Sequence, residues 1–300
     1  MTMTSVTSVE ALQDEAPFGL EPTFSKRIWG KTSLEPWYTD LGTTEPVGEA
    51  WLTGPESVIA SGKDAGKMLS EVAGDFPLLV KMLFPSDKLS VQVHPDDDEA
   101  QAMGHARGKT ECWYVLEAVP GATVALGVKD GVTKDDLQAA ASSMEELIEQ
   151  VPVEVGDMVF VDAGTVHAIG PGVVLLEVQQ TSDLTYRLYD YGRPRELHLT
   201  QGLAVTKTET RAGKVPARPM DGFVRLIEER YFVVDRFECS DEVLVPFAGI
   251  GCLVGLTGSG TVRTAAGEVA LTPGRAVICP IGDVSVLGDA VGFVRCVAPE

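Results

Sequence analysis

Short apolar runs separated by proline and glycine dominate this 300-residue chain. Runs of this length and punctuation are typical of antiparallel β-strands. The clearest are residues 122–126, 151–161, 173–179, 232–237 and 291–297. Helical patterns are confined to short stretches, with one or two helices expected between residues 133 and 150 and another near 64–73. The sequence therefore predicts a mainly β fold with a few short helices.

Composition limits the partners of the chain. The 24 basic and 44 acidic residues leave a net charge of −20, which repels nucleic acid and anionic membranes, so neither is an expected partner. Residues 1–16 are rich in Thr and Ser and lack an apolar stretch, which predicts a disordered tail instead of a signal peptide. The five cysteines form no close pairs, and we interpret them as core residues in a reducing compartment. We expect a cytoplasmic protein whose oligomeric state is left open.

Four polar residues in strand-like segments form a candidate metal site. Gln92 and His94 share one face of a strand of period two, Glu111 opens an apolar run, and His167 closes a turn-rich segment. Two imidazoles, a carboxylate and an amide oxygen suit zinc or another borderline divalent ion. Each histidine taken alone is more often a hydrogen-bonded interior residue, and Gln92 could instead orient His94 or a bound water.

The spacing of these residues resembles the two cupin signatures. Gly156, Gly164 and His167 fit the later signature, G-x5-P-x-G-x2-H, with Asp162 at the usual proline position. In the earlier signature Gln92 replaces the first histidine, and Glu111 follows His94 by 17 positions. These departures, with the motifs at 92–97, 108–114, 176–190 and 194–198, resemble the type I mannose-6-phosphate isomerases. The segments 29–30, 48–51 and 77–81 nearer the start are similar to this family too. The resemblance is strong over roughly residues 18–205 and points to the short bacterial form.

The resemblance implies a bicupin fold, with two β-barrel (jelly-roll) domains. The C-terminal third repeats the later signature from Gly274, but Ser285 stands at the position of the histidine and Gly251 at the position of Glu111. We therefore expect a metal-binding catalytic cupin domain at 17–206, a linker at 207–219 and a degenerate, metal-free cupin domain at 220–300, after the disordered tail at 1–16.

The resemblance also implies an activity and its residues. The family interconverts mannose 6-phosphate and fructose 6-phosphate, which predicts an aldose-ketose isomerase acting through a metal-stabilised enediol with one Zn²⁺ per chain, another divalent metal remaining open. Arg187 is the family's catalytic arginine by motif position, although it could instead pair with Asp183 or Asp190. Glu177 is the candidate base, or it could orient Arg187. Lys109 shares a strand face with Glu111 and could assist proton transfer or bind substrate.

A phosphosugar substrate is an anion, so a chain of this net charge needs a local basic pocket to bind it. Lys81, Lys109, Arg187 and Arg193 lie in or beside the motifs, and screening over about 8 Å lets a few such residues override the global charge. The alternatives are a metal-dependent cupin oxidoreductase and a non-enzymatic sugar-phosphate-binding cupin. Gln92 argues against an iron site of the three-histidine kind.

The unequal halves generate a prediction about metal content. Alanine at His94, Glu111 or His167 should each remove bound metal, because each change deletes one of few ligands, whereas Ser285→Ala should leave metal content unchanged. Elemental analysis of the purified variants measures this. A second stoichiometric metal that is lost on changing residues 250–290 would contradict a chemically silent C-terminal domain.

Overall fold

The computed structural model describes residues 15–299. The predicted disordered tail, 1–16, lies almost wholly outside the described residues. Within them, no helix is long and apolar enough to cross a bilayer.

Residues 15–299 contain twenty-three strands. The first twelve are β1 (Phe18–Gly19), β2 (Thr23–Lys31), β3 (Val47–Trp51), β4 (Leu78–Leu83), β5 (Val91–Val93), β6 (Glu111–Ala118), β7 (Thr123–Val128), β8 (Ile148–Pro152), β9 (Met158–Val161), β10 (His167–Ile169), β11 (Val173–Gln180) and β12 (Tyr186–Tyr189). The others are β13 (Gly213–Val215), β14 (Arg218–Pro219), β15 (Val224–Glu228), β16 (Val233–Cys239), β17 (Glu242–Phe247), β18 (Gly251–Thr257), β19 (Gly260–Thr264), β20 (Gly267–Leu271), β21 (Ala276–Cys279), β22 (Gly282–Leu287) and β23 (Val291–Val297).

The helices are few and short, and the predicted mainly β fold is confirmed. They are α1 (Leu69–Ala73), α2 (Asp97–Ala102), α3 (Lys134–Ala139) and α4 (Leu199–Val205), with a 3₁₀ turn at Met144–Leu147. Helices were expected in the regions of α1 and α3. Thr133 begins α3 as its cap, since its hydroxyl accepts a hydrogen bond from the Asp136 amide.

The strands form four antiparallel sheets. Sheet I has the order β13-β9-β6-β11-β4-β3-β2, and sheet II has the order β12-β5-β10-β7-β8. Sheet III has the order β1-β21-β18-β23-β16-β15-β14, and sheet IV has the order β17-β22-β19-β20. The apolar run 151–161 is divided between sheets II and I, because a turn in which Asp157 accepts a hydrogen bond from the Glu154 amide separates β8 from β9.

The buried clusters show how the sheets stack. Sheets I and III pack face to face, since one buried cluster contains residues of both sheets, such as Val178 and Val294. Sheet II covers the other face of sheet I, and sheet IV covers the other face of sheet III. Helices α3 and α4 close the outer face of sheet II. Sheet I is thus covered on both sides, which explains why all eight residues of β11 are buried.

All five cysteines are free and buried, as expected for core residues. Cys252 and Cys296 are directly opposite partners on β18 and β23. Both belong to the layer between sheets I and III, together with Cys112.

Equivalent positions on sheets I and III carry opposite charges. Across sheet I the strand register aligns Trp51, Lys81, Glu177, Trp113 and Val159. Across sheet III it aligns Arg225, Asp235, Arg295, Leu253 and Val277. Asp235 is fully buried and forms ion pairs with both Arg225 and Arg295. The second half thus places a carboxylate at the Lys81 position and an arginine at the Glu177 position.

Two segments connect the halves. Strand β1 pairs with β21, so the start of the described chain joins sheet III. In the predicted linker at 207–219, β13 pairs with β9 of sheet I and β14 pairs with β15 of sheet III. The division into a catalytic and a degenerate domain remains a prediction.

The Asp235 ion pairs generate a prediction about stability. Asp235→Asn should lower the free energy of unfolding by about 3–5 kcal/mol, because two largely buried guanidinium groups lose their shared counter-charge. Chemical denaturation measures this. Glu45→Gln, which breaks the exposed Lys26 pair, is the control and should change it by less than about 1 kcal/mol. Native stability in Asp235→Asn would show that the ion pairs are dispensable.

Candidate active site

Three of the four predicted ligands meet in one buried cluster. His94 follows β5, Glu111 begins β6 and His167 begins β10. One ligand atom from each residue lies within 4.8 Å of the others, and all three side chains are buried. Sheet I supplies the carboxylate and sheet II supplies the imidazoles, so the cluster depends on the stacking of these two sheets.

Backbone carbonyl groups orient both imidazoles. Nδ1 of His94 lies 3.0 Å from the Leu184 carbonyl oxygen, and Nδ1 of His167 lies 2.9 Å from that of Thr165. Each Nδ1 must therefore carry the proton and donate, which leaves the lone pair of each Nε2 directed towards Glu111, at 3.7 and 3.3 Å. Burial lowers the pKa of His167 to about 4, and burial with the Lys109 charge holds the pKa of His94 well below its usual value. Both are neutral at pH 7, the form that binds metals.

Glu111 lacks the hydrogen bonds that a buried carboxylate normally requires. Within the described chain, neither of its oxygens accepts a hydrogen bond of good geometry, although Lys109 Nζ lies 2.8 Å from Oε2. An orphaned carboxylate beside two neutral imidazole lone pairs fits a divalent cation by donor type and by charge. His94, Glu111 and His167 could therefore hold a metal ion.

Gln92 lies at the edge of this cluster. It is the cross-strand partner of His167, and its side-chain amide nitrogen lies 3.2 Å from His167 Nε2. The opposite amide orientation would direct the oxygen there instead. Direct ligation and orientation of a neighbour both remain predictions for this residue.

A cavity of about 480 Å³ opens beside the cluster. Gln92 and Lys109 line the cavity and also contact the cluster, Gln92 at His167 and Lys109 at His94, so they connect the cavity with the buried ligands. Three carboxylates also line it, from Glu49, Glu177 and Asp183. Six basic residues outnumber them: Lys26, Arg27, Lys81, Lys109, Arg187 and Arg195. The cavity is therefore locally positive in a chain with a net charge of −20.

Glu177 lies among cations in the cavity wall. Its Oε1 is 3.8 Å from Lys81 Nζ and 4.0 Å from Lys109 Nζ, and its Oε2 accepts a hydrogen bond of 3.2 Å from the Trp113 indole. Burial, reinforced by the negative charge of Glu111, raises the pKa of Glu177. Burial alone would lower the pKa of Lys109, but the negative charges of Glu111 and Glu177 outweigh burial and raise this pKa. Lys109 is therefore a cation at neutral pH.

Arg187 occupies sheet II beside the cluster. It is the cross-strand partner of Gln92 on the side opposite His167. Its guanidinium donates to the Glu196 carbonyl at 2.7 Å, and among residues 15–299 it forms no ion pair. The acids that sequence reasoning offered as partners are engaged elsewhere: Asp183 pairs with Lys81, and Asp190 pairs with Arg193 and Arg195. Arg193, unlike the other basic residues expected here, does not line the cavity.

Arg27, Glu49 and Arg195 line the cavity but were not singled out from the sequence. Arg27 lies on the edge strand β2, and Arg195 lies in the loop after β12, so no periodic pattern identifies either residue. The only available signal was that Glu49 and Arg195 lie within the family-like segments 48–51 and 194–198, and that Arg27 lies just before the segment 29–30.

Comparisons with known proteins agree with this geometry. The family model described as phosphomannose isomerase type I, catalytic domain, matches residues 18–127. A mannose-6-phosphate isomerase of Streptococcus mutans is 34% identical, over 88% of this chain and 92% of its own. Mannose-6-phosphate isomerase ManA of Bacillus subtilis is 41% identical, over 63% of this chain and 67% of its own.

A crystal structure of mannose 6-phosphate isomerase from Bacillus subtilis superposes with a TM-score of 0.84. The two chains are 28% identical, and the match covers 94% of this chain and 100% of that one. The fold similarity therefore extends through both halves. This chain belongs to the type I phosphomannose isomerase family.

Proposed function

We propose that the protein interconverts mannose 6-phosphate and fructose 6-phosphate. One observation carries the proposal: the buried His94, Glu111 and His167 cluster adjoins a positive cavity that also contains the carboxylate Glu177. The cluster suits a metal ion that polarises sugar oxygens, the positive cavity suits an anionic substrate, and the Glu177 carboxylate suits proton transfer. The activity named for the similar proteins is the same.

His94, Glu111 and His167 would hold the metal ion, with Gln92 as a fourth ligand or as an orienting group. We infer Zn²⁺, because imidazole and carboxylate donors suit this borderline ion, while another divalent metal remains an alternative. When bound, such an ion supplies Lewis-acid polarisation of the neighbouring carbonyl and hydroxyl oxygens of the sugar.

Glu177 is the proposed base. Isomerisation removes a proton from C2 of the aldose and returns one to C1, through an enediol. The raised pKa of the Glu177 carboxylate brings it closer to neutral pH, which favours a group that must accept and then release a proton. The indole donor from Trp113 fixes Oε2, so Oε1 is the oxygen that faces the two lysines.

Lys109 and Arg187 are proposed to stabilise negative charge. Lys109 stays protonated beside Glu111 and Glu177, where it can donate to a substrate oxygen on which charge develops. Arg187 lines the cavity and has no carboxylate partner among residues 15–299, so its charge is available to the enediolate or to the phosphate.

A coupled assay tests the reaction and its metal dependence. The metal-loaded protein should convert mannose 6-phosphate to fructose 6-phosphate, and a chelator should abolish the conversion until Zn²⁺ is restored. Full turnover by demonstrably metal-free protein would exclude the metal role. An inert but metal-loaded protein that still binds the phosphosugar would favour the non-enzymatic binding alternative, and oxygen consumption would favour an oxidoreductase.

Arg187 offers a test of its role in the transition state. Arg187→Ala should lower kcat about 100-fold or more, with metal content and fold retained, if the guanidinium stabilises developing charge. Steady-state kinetics with elemental analysis measures this. A rise in KM at nearly constant kcat would instead assign Arg187 to phosphate binding. Arg187→Lys keeps the charge without the planar fork, so native kcat in that variant would show that the fork geometry is dispensable.

A further inference from the structure

The edge of sheet I beside the cavity contains a bulge. Lys26 and Lys31 of β2 both pair with Val47 of β3, so residues 27–30 lie outside the regular ladder. Bulges redirect side chains and are frequent beside active sites. This bulge contains Arg27 and Trp29, and both line the cavity.

Two glycines make room for this bulge. A Cβ atom at Gly48 would lie 2.6 Å from Arg27 Cβ and 2.5 Å from the Trp29 ring. A Cβ atom at Gly30 would lie 2.3 Å from the Val47 carbonyl carbon. The segments 29–30 and 48–51, which the catalytic proposal leaves without a role, thus fit together around the position of Arg27.

Glu49 holds the Arg27 guanidinium. Arg27 Nε donates to Glu49 Oε1 at 2.9 Å, and Arg27 Nη2 donates to Glu49 Oε2 at 3.1 Å. Glu49 is only 8% exposed and also accepts a hydrogen bond from the Trp51 indole at 2.6 Å. A remaining Arg27 contact is long, 3.3 Å from Nη1 to the Lys26 carbonyl. The five N–H donors of an arginine exceed these three contacts, so donors remain for a ligand.

Arg27 is more exposed than Lys109 and Glu177, as expected for a residue nearer the cavity mouth. Its side chain is 32% exposed, whereas those of Lys109 and Glu177 are 4% and 5% exposed. Arg195, 23% exposed, is held in the same manner, since Asp190 accepts from its Nε and Nη2. Arg27, Arg187 and Arg195 all line the same cavity. Burial and the charges of the neighbouring arginines, including Arg195 and Arg27, lower the pKa of Arg187, while Asp190 opposes this shift. Clustered arginines held by carboxylates form an anion-binding surface.

We propose that Arg27 is a specificity-determining residue that binds the phosphate group of the substrate, and that Glu49 is its positioning residue. This inference rests on the proposed function. The reacting carbons C1 and C2 must lie at the buried end beside Glu177, so the phosphate on C6 extends towards the mouth. There Arg27 presents a preformed fork, which phosphate binds with two parallel hydrogen bonds.

The test uses the zinc-loaded, full-length enzyme. Arg27→Gln should raise KM for mannose 6-phosphate by about 10-fold or more and leave kcat within about twofold, because the phosphate contact is made equally in the ground and transition states. The Kd for inorganic phosphate, measured by calorimetry, should rise by a similar factor. The KM and the phosphate Kd of Arg27→Lys should lie between those of Arg27→Gln and the native enzyme, since lysine keeps the positive charge but lacks the planar fork.

Matched variants separate positioning from folding. Glu49→Gln should raise KM less than Arg27→Gln, with kcat kept, because the guanidinium remains but is no longer held. Arg211→Gln removes an arginine that also contacts a carboxylate, that of Glu229, through two nitrogens, with Asp162 at 4.0 Å from its Nε, but Arg211 lies outside the cavity. Its KM and Kd should stay within about twofold of native. Metal content and thermal melting verify that each variant is folded.

Three outcomes would overturn the inference. If Arg27→Gln keeps the native KM and the native Kd for phosphate, Arg27 does not bind the phosphate group. If Arg27→Gln loses both kcat and bound metal, Arg27 has a structural role instead. An equal KM rise in Arg211→Gln would mean that general charge matters instead of this contact. The proposed function fails separately: native protein that binds phosphate through Arg27 but does not isomerise mannose 6-phosphate would refute the reaction and retain the anion site.

Discussion

The buried carboxylate of Glu111 is the constraint on which the site depends. An ionised carboxylate in a protein interior is unfavourable unless cations or hydrogen bonds compensate it, and Glu111 is fully buried without accepting a well-formed hydrogen bond in the described chain. Lys109 supplies one positive charge, while the two histidines are held neutral. Their orientation comes from carbonyl groups at residues 165 and 184, so loops of sheet II must be in place before a cation can be bound.

Sequence reasoning could recover the parts of the site that obey strand periodicity or motif spacing. Gln92 and His94 share a face by period two, and Arg187 proved to be the cross-strand partner of Gln92. The mainly β class also followed from short apolar runs. Arg27 and Arg195 could not be predicted from strand periodicity, because Arg27 lies in a bulge and Arg195 lies in a loop. Each is also positioned by a carboxylate elsewhere in the sequence, Arg27 by one 22 positions away and Arg195 by one 5 positions away. Likewise, the run 151–161 gave no sign that its two parts enter different sheets, since that separation depends on one turn.

The C-terminal half retains the strand register of the N-terminal half but uses its interior charges differently. Lys81 and Glu177 lie beside an open cavity, where a ligand can contact them. At the corresponding positions Asp235 and Arg295 neutralise each other, and Arg295 lies over the rings of three phenylalanines. The charges at this pair of positions are therefore exchanged between the halves. In the N-terminal half the pair lines a cavity, and in the C-terminal half it lies in a packed interior.

The pairing of β1 with β21 has a consequence for biosynthesis. Phe18 lies opposite Ile278, 260 positions later in the sequence. During synthesis β1 emerges from the ribosome long before β21, so β1 must stay unpaired while the strands between them are made. Earlier sheets can form from segments that lie near one another in the sequence, but sheet III gains its β1 edge only once β21 has emerged. Loss of β1 would expose β21 as a free edge open to association with other chains.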